Sequence, residues 1–200
     1  MSAPRLEVAP GVTLGRVETT RPSGVNVAGF SFLTLKHISR TRYGPPAFET
    51  WAASHRLDAR AVTASSWLPV ELYYSLVETL LERHHAGDPR AATELAGECT
   101  RHEINGLYRF VLSFSSPLMV LRLSSRFWRQ YYDRTELVVT ESVGASLHAE
   151  VRHWPVMTAT AAYFLCGAAL PWLKASRAPD IAFTQLEFAA PGLLKLAAAW

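Results

Sequence analysis

The chain has 200 residues, 49% hydrophobic and 18% charged, with 20 basic against 17 acidic side chains and a mean hydropathy of +0.06. That apolar content needs a core and excludes a disordered tail, while the length suits one domain. The small basic excess forms no Lys or Arg run, which speaks against a nucleic-acid groove.

Residues 1–24, with Pro4, Pro10, Gly11, Gly15, Pro22 and Gly24, read as an extended N-terminal arm, and 25–200 as a single α+β domain. The start of the chain lacks the continuous apolar stretch of a signal peptide, so a cytoplasmic protein is expected. Cys99 and Cys166 lie inside apolar or helical runs and read as reduced core thiols.

Val25 to Ile38 is β-branched and aromatic, which suits a strand passing into a helix or a helix alone. Gly44-Pro45-Pro46 is a break, and Pro46 can open a short helix with Phe48, Trp51, Ala52 and His55 at helical spacing. In the next helix Ser65 or Ser66 caps and Pro69 takes the first turn. Leu72, Leu76 and Leu80 then run beside Tyr73, Val77 and Leu81, and Gly87 ends the run. Asp88-Pro89 restarts a helix that turns Leu95, Cys99 and Ile104 inward. Leu107, Phe110, Val111 and Phe114 prolong that pattern to Ser115-Ser116-Pro117, where a new cap and proline open a helix reaching Tyr132. Three helices in succession are thus predicted between Leu68 and Tyr132.

The period then changes to two. Leu147, Ala149 and Val151 alternate with His148, Glu150 and Arg152, so Glu136–Val143 and Ala145–Arg152 form a hairpin across Gly144. Pro155 to Leu173 carries no charge over nineteen residues, but its threonines, alanines, Gly167 and Pro171 favour a buried core helix over a membrane span. Ile181–Phe188 and Leu193–Trp200 flank the turn at Ala189-Ala190-Pro191-Gly192 and make a second hairpin. The fold class is α+β, with helices packed on an antiparallel sheet built from two late hairpins.

The sequence holds no nucleophile elbow, Gly-rich phosphate loop, paired-cysteine zinc site or HExxH helix, so no catalytic residue is assigned. Glu98, Cys99, His102 and Glu103 share neighbouring turns of one helix, and His84 and His85 end the helix before it. Six such groups could assemble a metal site. A surface Glu98–His102 pair, a buried Cys99 and imidazoles at a helix C-terminus account for them as well, and no metal is expected. A metal-dependent enzyme ranks third among the functional readings.

Helix Pro117–Tyr132 reads as buried, with Arg122, Arg126 and Arg129 in one narrow cationic stripe. That stripe suits a bound anion or an acidic partner, because guanidinium holds carboxylate or phosphate in a bidentate fork; it equally suits a plain solvent face. Trp51, Trp67, Tyr73, Tyr74, Tyr108, Trp128, Tyr131, Tyr132, Tyr163 and Trp172 are core aromatics or the lining of an apolar pocket. The ligand-binding candidates are therefore Arg122, Arg126, Arg129, Trp128, Tyr73 and Trp67.

Several short segments carry a resemblance: Val27-Ala28-Gly29-Phe30-Ser31-Phe32, Arg42-Tyr43-Gly44, Trp67-Leu68-Pro69-Val70-Glu71-Leu72-Tyr73, Ser116-Pro117 and Phe127-Trp128-Arg129-Gln130-Tyr131-Tyr132-Asp133. In this order the chain resembles a myxobacterial paralogous family of roughly 200-residue proteins of unknown function. More distantly it is similar to the superfold of haem-NO-binding domains, four-vinyl-reductase-type sensor domains and TRAPP vesicle-tethering subunits. The resemblance implies a non-enzymatic, sensor-like regulatory domain that binds a small apolar or anionic ligand and signals through protein contacts. The alternative it implies is a ligand-free interaction scaffold, pairing as a homodimer or heteromer.

The haem-NO-binding relatives imply an iron-binding histidine on the helix before the first hairpin and a Tyr-x-Ser-x-Arg motif. Here Pro117–Tyr132 has no histidine, and the run Tyr73-Tyr74-Ser75 is followed by Leu76 and Val77, so haem is disfavoured on sequence. The cofactor is otherwise left open. The small-molecule sensor relatives imply two cysteines around a glycine in the last hairpin; here Gly192 is present without any cysteine after Cys166, which argues against cysteine-based sensing.

Overall fold

The computed structural model describes residues 23–104, 115–176 and 180–200, with backbone only at 121 and 141–143. The arm as far as residue 22, and the predicted positions Leu107, Tyr108, Phe110, Val111 and Phe114, lie outside the described residues.

The opening strand and helix both form. Strand β1 (Asn26–Ala28) runs straight into helix α1 (Gly29–Tyr43), which buries Phe32, Leu35 and Ile38 at helical spacing. Pro45 and Pro46 open α2 (Pro45–Ser54), whose Phe48 and Trp51 face inward. The segment Trp67–Pro69 is strand β2, antiparallel to β1 with Ala28 opposite Trp67, where the sequence suggests only a cap and a first turn. Pro69 then serves as the N-cap of α3 (Val70–His84). Helix α4 (Ala91–Glu103) follows the Asp88-Pro89 restart, and Gly87 before it takes the left-handed φ of 74° that glycine tolerates.

Helix α5 (Pro117–Tyr131) begins as predicted, with the Ser116 hydroxyl accepting from the Met119 N–H at 3.2 Å. The first hairpin is β3 (Glu136–Val143) with β4 (Ser146–Arg152), and the second is β5 (Ala182–Ala190) with β6 (Leu193–Ala199). Between them lies α6 (Ala159–Lys174), capped by Thr158 and carrying Pro171 in its interior. The sheet is antiparallel in the order β3-β4-β6-β5, so the hairpins join through β4 and β6 with Val151 opposite Leu194. Strand β5 shifts register after Phe183 and again after Phe188, so its buried residues run Phe183, Leu186, Phe188 instead of keeping strict alternation.

The helices cover the face of the sheet that carries Leu147, Ala149, Val151, Leu194 and Leu196, and one hydrophobic cluster runs from Val25 to Ala198. Trp51 at 1% and Trp154 at 0% exposure are among its largest members, and full burial of an apolar side chain contributes about 1.5–3 kcal/mol. Among the described residues no helix is long and apolar enough to cross a membrane, and α6 is a core helix buried at Thr160 through Gly167.

Candidate functional site

The centre of the molecule, between α3, α5, α6 and the sheet, is aromatic. The Trp154 ring meets Tyr132 at 5.0 Å, Tyr74 at 5.7 Å and Trp128 at 6.4 Å between centroids, and Phe164 meets Tyr73 and Tyr74 at 5.6 Å each. Edge-to-face geometry dominates, as ring quadrupoles prefer. Polar tips are paired: Trp128 Nε1 donates to Thr135 Oγ1 at 2.8 Å, Trp154 Nε1 to the Val156 carbonyl at 2.8 Å, and the Tyr74 and Tyr132 hydroxyls lie 3.4 Å apart. Burial pushes the phenols of Tyr73, Tyr74 and Tyr132 well up, so all three stay protonated. Trp154, which anchors this cluster, escapes the sequence reading because it lies in the non-periodic stretch His153-Trp154-Pro155, just past the end of β4.

The C-terminal end of α5 is tied to the small β1–β2 sheet. Tyr132 bridges Val27, and Asn26 donates from its backbone N–H and its side chain to the Asp133 carboxylate, both at 2.7 Å. Trp67 on β2 therefore pairs with the strand that the end of α5 bridges, yet the residue is 47% exposed.

The predicted site residues separate into two groups. Trp128 and Tyr73 point into the aromatic centre; Arg122, Arg126 and Arg129 point to solvent. Arg129 lies 3.8 Å from Glu136, with both side chains largely exposed. The expectation that α5 is buried apart from its cationic stripe is corrected: Met119 is 52% and Phe127 47% exposed, with half-buried Leu123 between them. Among the described residues this helix meets β1, β3 and α6, and these leave Met119 and Phe127 uncovered.

The metal candidates do not converge, and among the described residues no group of three potential ligands does. Glu98 accepts from Arg42 at 2.9 Å, and His102 stacks on His37 at 4.8 Å. His84 stacks on Tyr43 at 4.4 Å, and His85 Nε2 lies 2.8 Å from the Tyr43 hydroxyl. The Cys99 and Cys166 thiols are buried and pushed up, hence inert. Glu103 is the exception in chemistry. Burial pushes its carboxyl up to about 7, against hydrogen bonds from Thr34 and Tyr131 that pull it down.

In sequence, no family profile and no curated protein matches the chain. In structure, an Fe(II) unliganded H-NOX protein from K. algicida matches with a TM-score of 0.66 at 12% identity, over 86% of this chain and 95% of that one. The Fe(II)NO state of an H-NOX protein from S. oneidensis matches at 0.60 and 11%, over 86% and 97%. An oxygen-binding H-NOX domain related to soluble guanylate cyclases matches at 0.59 and 10%, over 86% and 92%. The fold is the α+β fold of these H-NOX structures, one branch of the superfold that the sequence resembles.

The expectation that haem is disfavoured is corrected by these structures, whose fold has been studied for haem distortion in the H-NOX family. That expectation rested on two short patterns, whereas the space for a cofactor is set by how helices pack on a sheet, which no local motif encodes. The patterns bear only on attachment. Helix α5 carries no imidazole, and the groups that the described residues place inside are the phenols and thiols named above together with the carboxyls of Glu71 and Glu103. None of these is an imidazole, so the described interior offers no histidine to hold an iron.

Proposed function

We propose that this chain is a non-enzymatic, sensor-like regulatory domain that binds a small molecule and passes the binding event on through protein contacts. The observation that carries the reading is the fold shared with H-NOX structures over 86% of the chain. Residues 25–200 act as one domain of a cytoplasmic protein, akin to the myxobacterial family that it resembles. Haem with a gas ligand is the first chemistry to test, since Fe(II), NO and oxygen states are what the matched structures describe. Tyr73 and Trp128 bound the inner, ligand-facing region, and Trp67 lies beside the strand that holds the end of α5.

The outer face of α5 is the signalling surface in this reading. Met119 and Phe127 form an exposed apolar stripe beside Arg122, Arg126 and Arg129, which suits an acidic partner with an apolar ridge. The same stripe supports the second reading, a ligand-free scaffold that pairs through α5.

Native mass spectrometry and an absorbance spectrum of protein made in iron- and 5-aminolaevulinate-supplemented cells test the proposal. Retained haem or another small molecule is expected. Protein that emerges empty, takes up no haemin and binds nothing from a metabolite panel overturns the ligand-binding reading. Association through α5 in that empty protein then favours the scaffold.

A further inference from the structure

Helices α4 and α6 cross closely and leave a cleft of about 490 Å3 beside the crossing. The approach depends on Gly167, where a Cβ would collide with the backbone of Thr93. Two hydroxyls clamp the crossing: Thr93 Oγ1 donates to the Tyr163 carbonyl at 3.3 Å and Thr100 Oγ1 to the Ala168 carbonyl at 3.0 Å. Pro171 has no N–H to return to the Gly167 carbonyl one turn earlier. That carbonyl oxygen lies 3.5 Å from where Gly97 would carry a Cβ, and Arg101 Nη1 lies 3.2 Å from the same point.

The cleft lining combines apolar side chains with two cations. Ile104, Leu170, Pro171 and Ala175 line it, and Arg101 and Lys174 stand exposed at its rim. Among the described residues neither cation has an acidic partner. The one carboxylate in the lining, Glu94, is 3.1 Å from Arg42 of α1 and is paired there.

We propose that this cleft binds a small amphiphilic anion, with its carboxylate or phosphate between Arg101 and Lys174 and its apolar body against Leu170, Pro171 and Ile104. Two uncompensated cations beside apolar lining residues are complementary to that one ligand class, and a guanidinium holds either headgroup in two hydrogen bonds. The Gly167 carbonyl offers an acceptor for a hydroxyl on the ligand. A ligand here also touches the wiring of the interior, because α6 carries Phe164, which packs on Tyr73 and Tyr74. The inference rests on the reading of the chain as a small-molecule-responsive domain, and names a site and ligand class for it.

The test is titration of the 15N-labelled full chain with sodium decanoate below its micelle concentration, followed by calorimetry and by the amide signals of Gly97 and Gly167. Decyltrimethylammonium bromide serves as the cationic counterpart, and phosphatidylglycerol vesicles as a lipid source of the same headgroup chemistry. Saturable decanoate binding is expected, with the largest shifts at Gly97 and Gly167. The double variant Arg101→Gln/Lys174→Gln should bind about tenfold more weakly or worse, with unchanged circular dichroism and melting. Absent binding, equal binding of the ammonium amphiphile, indifference to the double variant, or binding to vesicles without binding of monomeric decanoate would each overturn it. Protein that retains haem or another molecule in native mass spectrometry yet ignores decanoate overturns the cleft alone and leaves the sensor reading standing.

Discussion

The indole N–H of Trp128 donates to the hydroxyl of Thr135 at 2.8 Å, and this bond joins the last turn of α5 to the residue that precedes β3. Thr135 is 1% exposed, so its hydroxyl cannot turn to bulk water instead. Thr135→Val keeps the shape and removes the acceptor. An orphaned donor costs about 1–3 kcal/mol when fully buried, so for the half-buried Trp128 thermal melting should fall toward the lower end of that range, whereas Thr135→Ser should retain most of the stability.

Glu103 gives the fold a pH dependence. Its carboxyl ordinarily titrates near 4.5 and is pushed up to about 7 by burial, so the folded chain binds more protons than the unfolded chain between those values. Its contribution is fully present below pH 4.5 and is lost as pH rises through about 7. Glu103→Gln should flatten this part of the stability profile, raising the melting temperature at pH 8 relative to the parent and changing it little at pH 4.5. Urea unfolding at the two pH values checks the sign.

Gly167→Ala should destabilise the chain by about 1–3 kcal/mol, because the new Cβ meets the Thr93 backbone and α4 and α6 must separate. Ala168→Gly, one residue on, removes a methyl without forcing that separation and should cost only about 1 kcal/mol, the ordinary penalty for glycine within a helix. Chemical denaturation of the pair distinguishes the packing effect from helix propensity.

Arg126 is exposed on α5, so Arg126→Ala should move stability by no more than about 0.5 kcal/mol. Phe127→Ser likewise removes exposed apolar surface without opening the core. If α5 is the contact surface, both variants bind the partner more weakly or self-associate less while melting like the parent, as light scattering and calorimetry would show. Unchanged association in both would reduce this face to a solvated one.

Much of the fold is legible in the chain because local geometry writes it there. Leu72, Leu76 and Leu80 repeat at helical spacing, Leu147, Ala149 and Val151 at strand spacing, and Gly87, Ser116-Pro117 and Pro191-Gly192 mark where elements stop and start. The α+β class and the first late hairpin follow from those periods, and the second hairpin from apolar runs on either side of the Pro191-Gly192 turn. The aromatic centre is half legible: Tyr73, Tyr74, Trp128 and Tyr132 sit at spacings that identify core residues, and Trp154 sits at none.

Tertiary structure decided what depends on a partner distant in sequence. Trp67–Pro69 is a strand only because β1 lies beside it, and Met119 and Phe127 are exposed because nothing among the described residues covers that side of α5. The register shifts of β5 follow its pairing with β6, not its own sequence pattern. Gly97 and Gly167 are unremarkable helix residues until α4 and α6 cross, and Arg101 and Lys174 become neighbours of one cleft only then. Periodicity reports which face of an element is apolar; which surface comes to cover that face is settled by long-range packing, and a site assembled across such a contact is written in no single stretch of the chain.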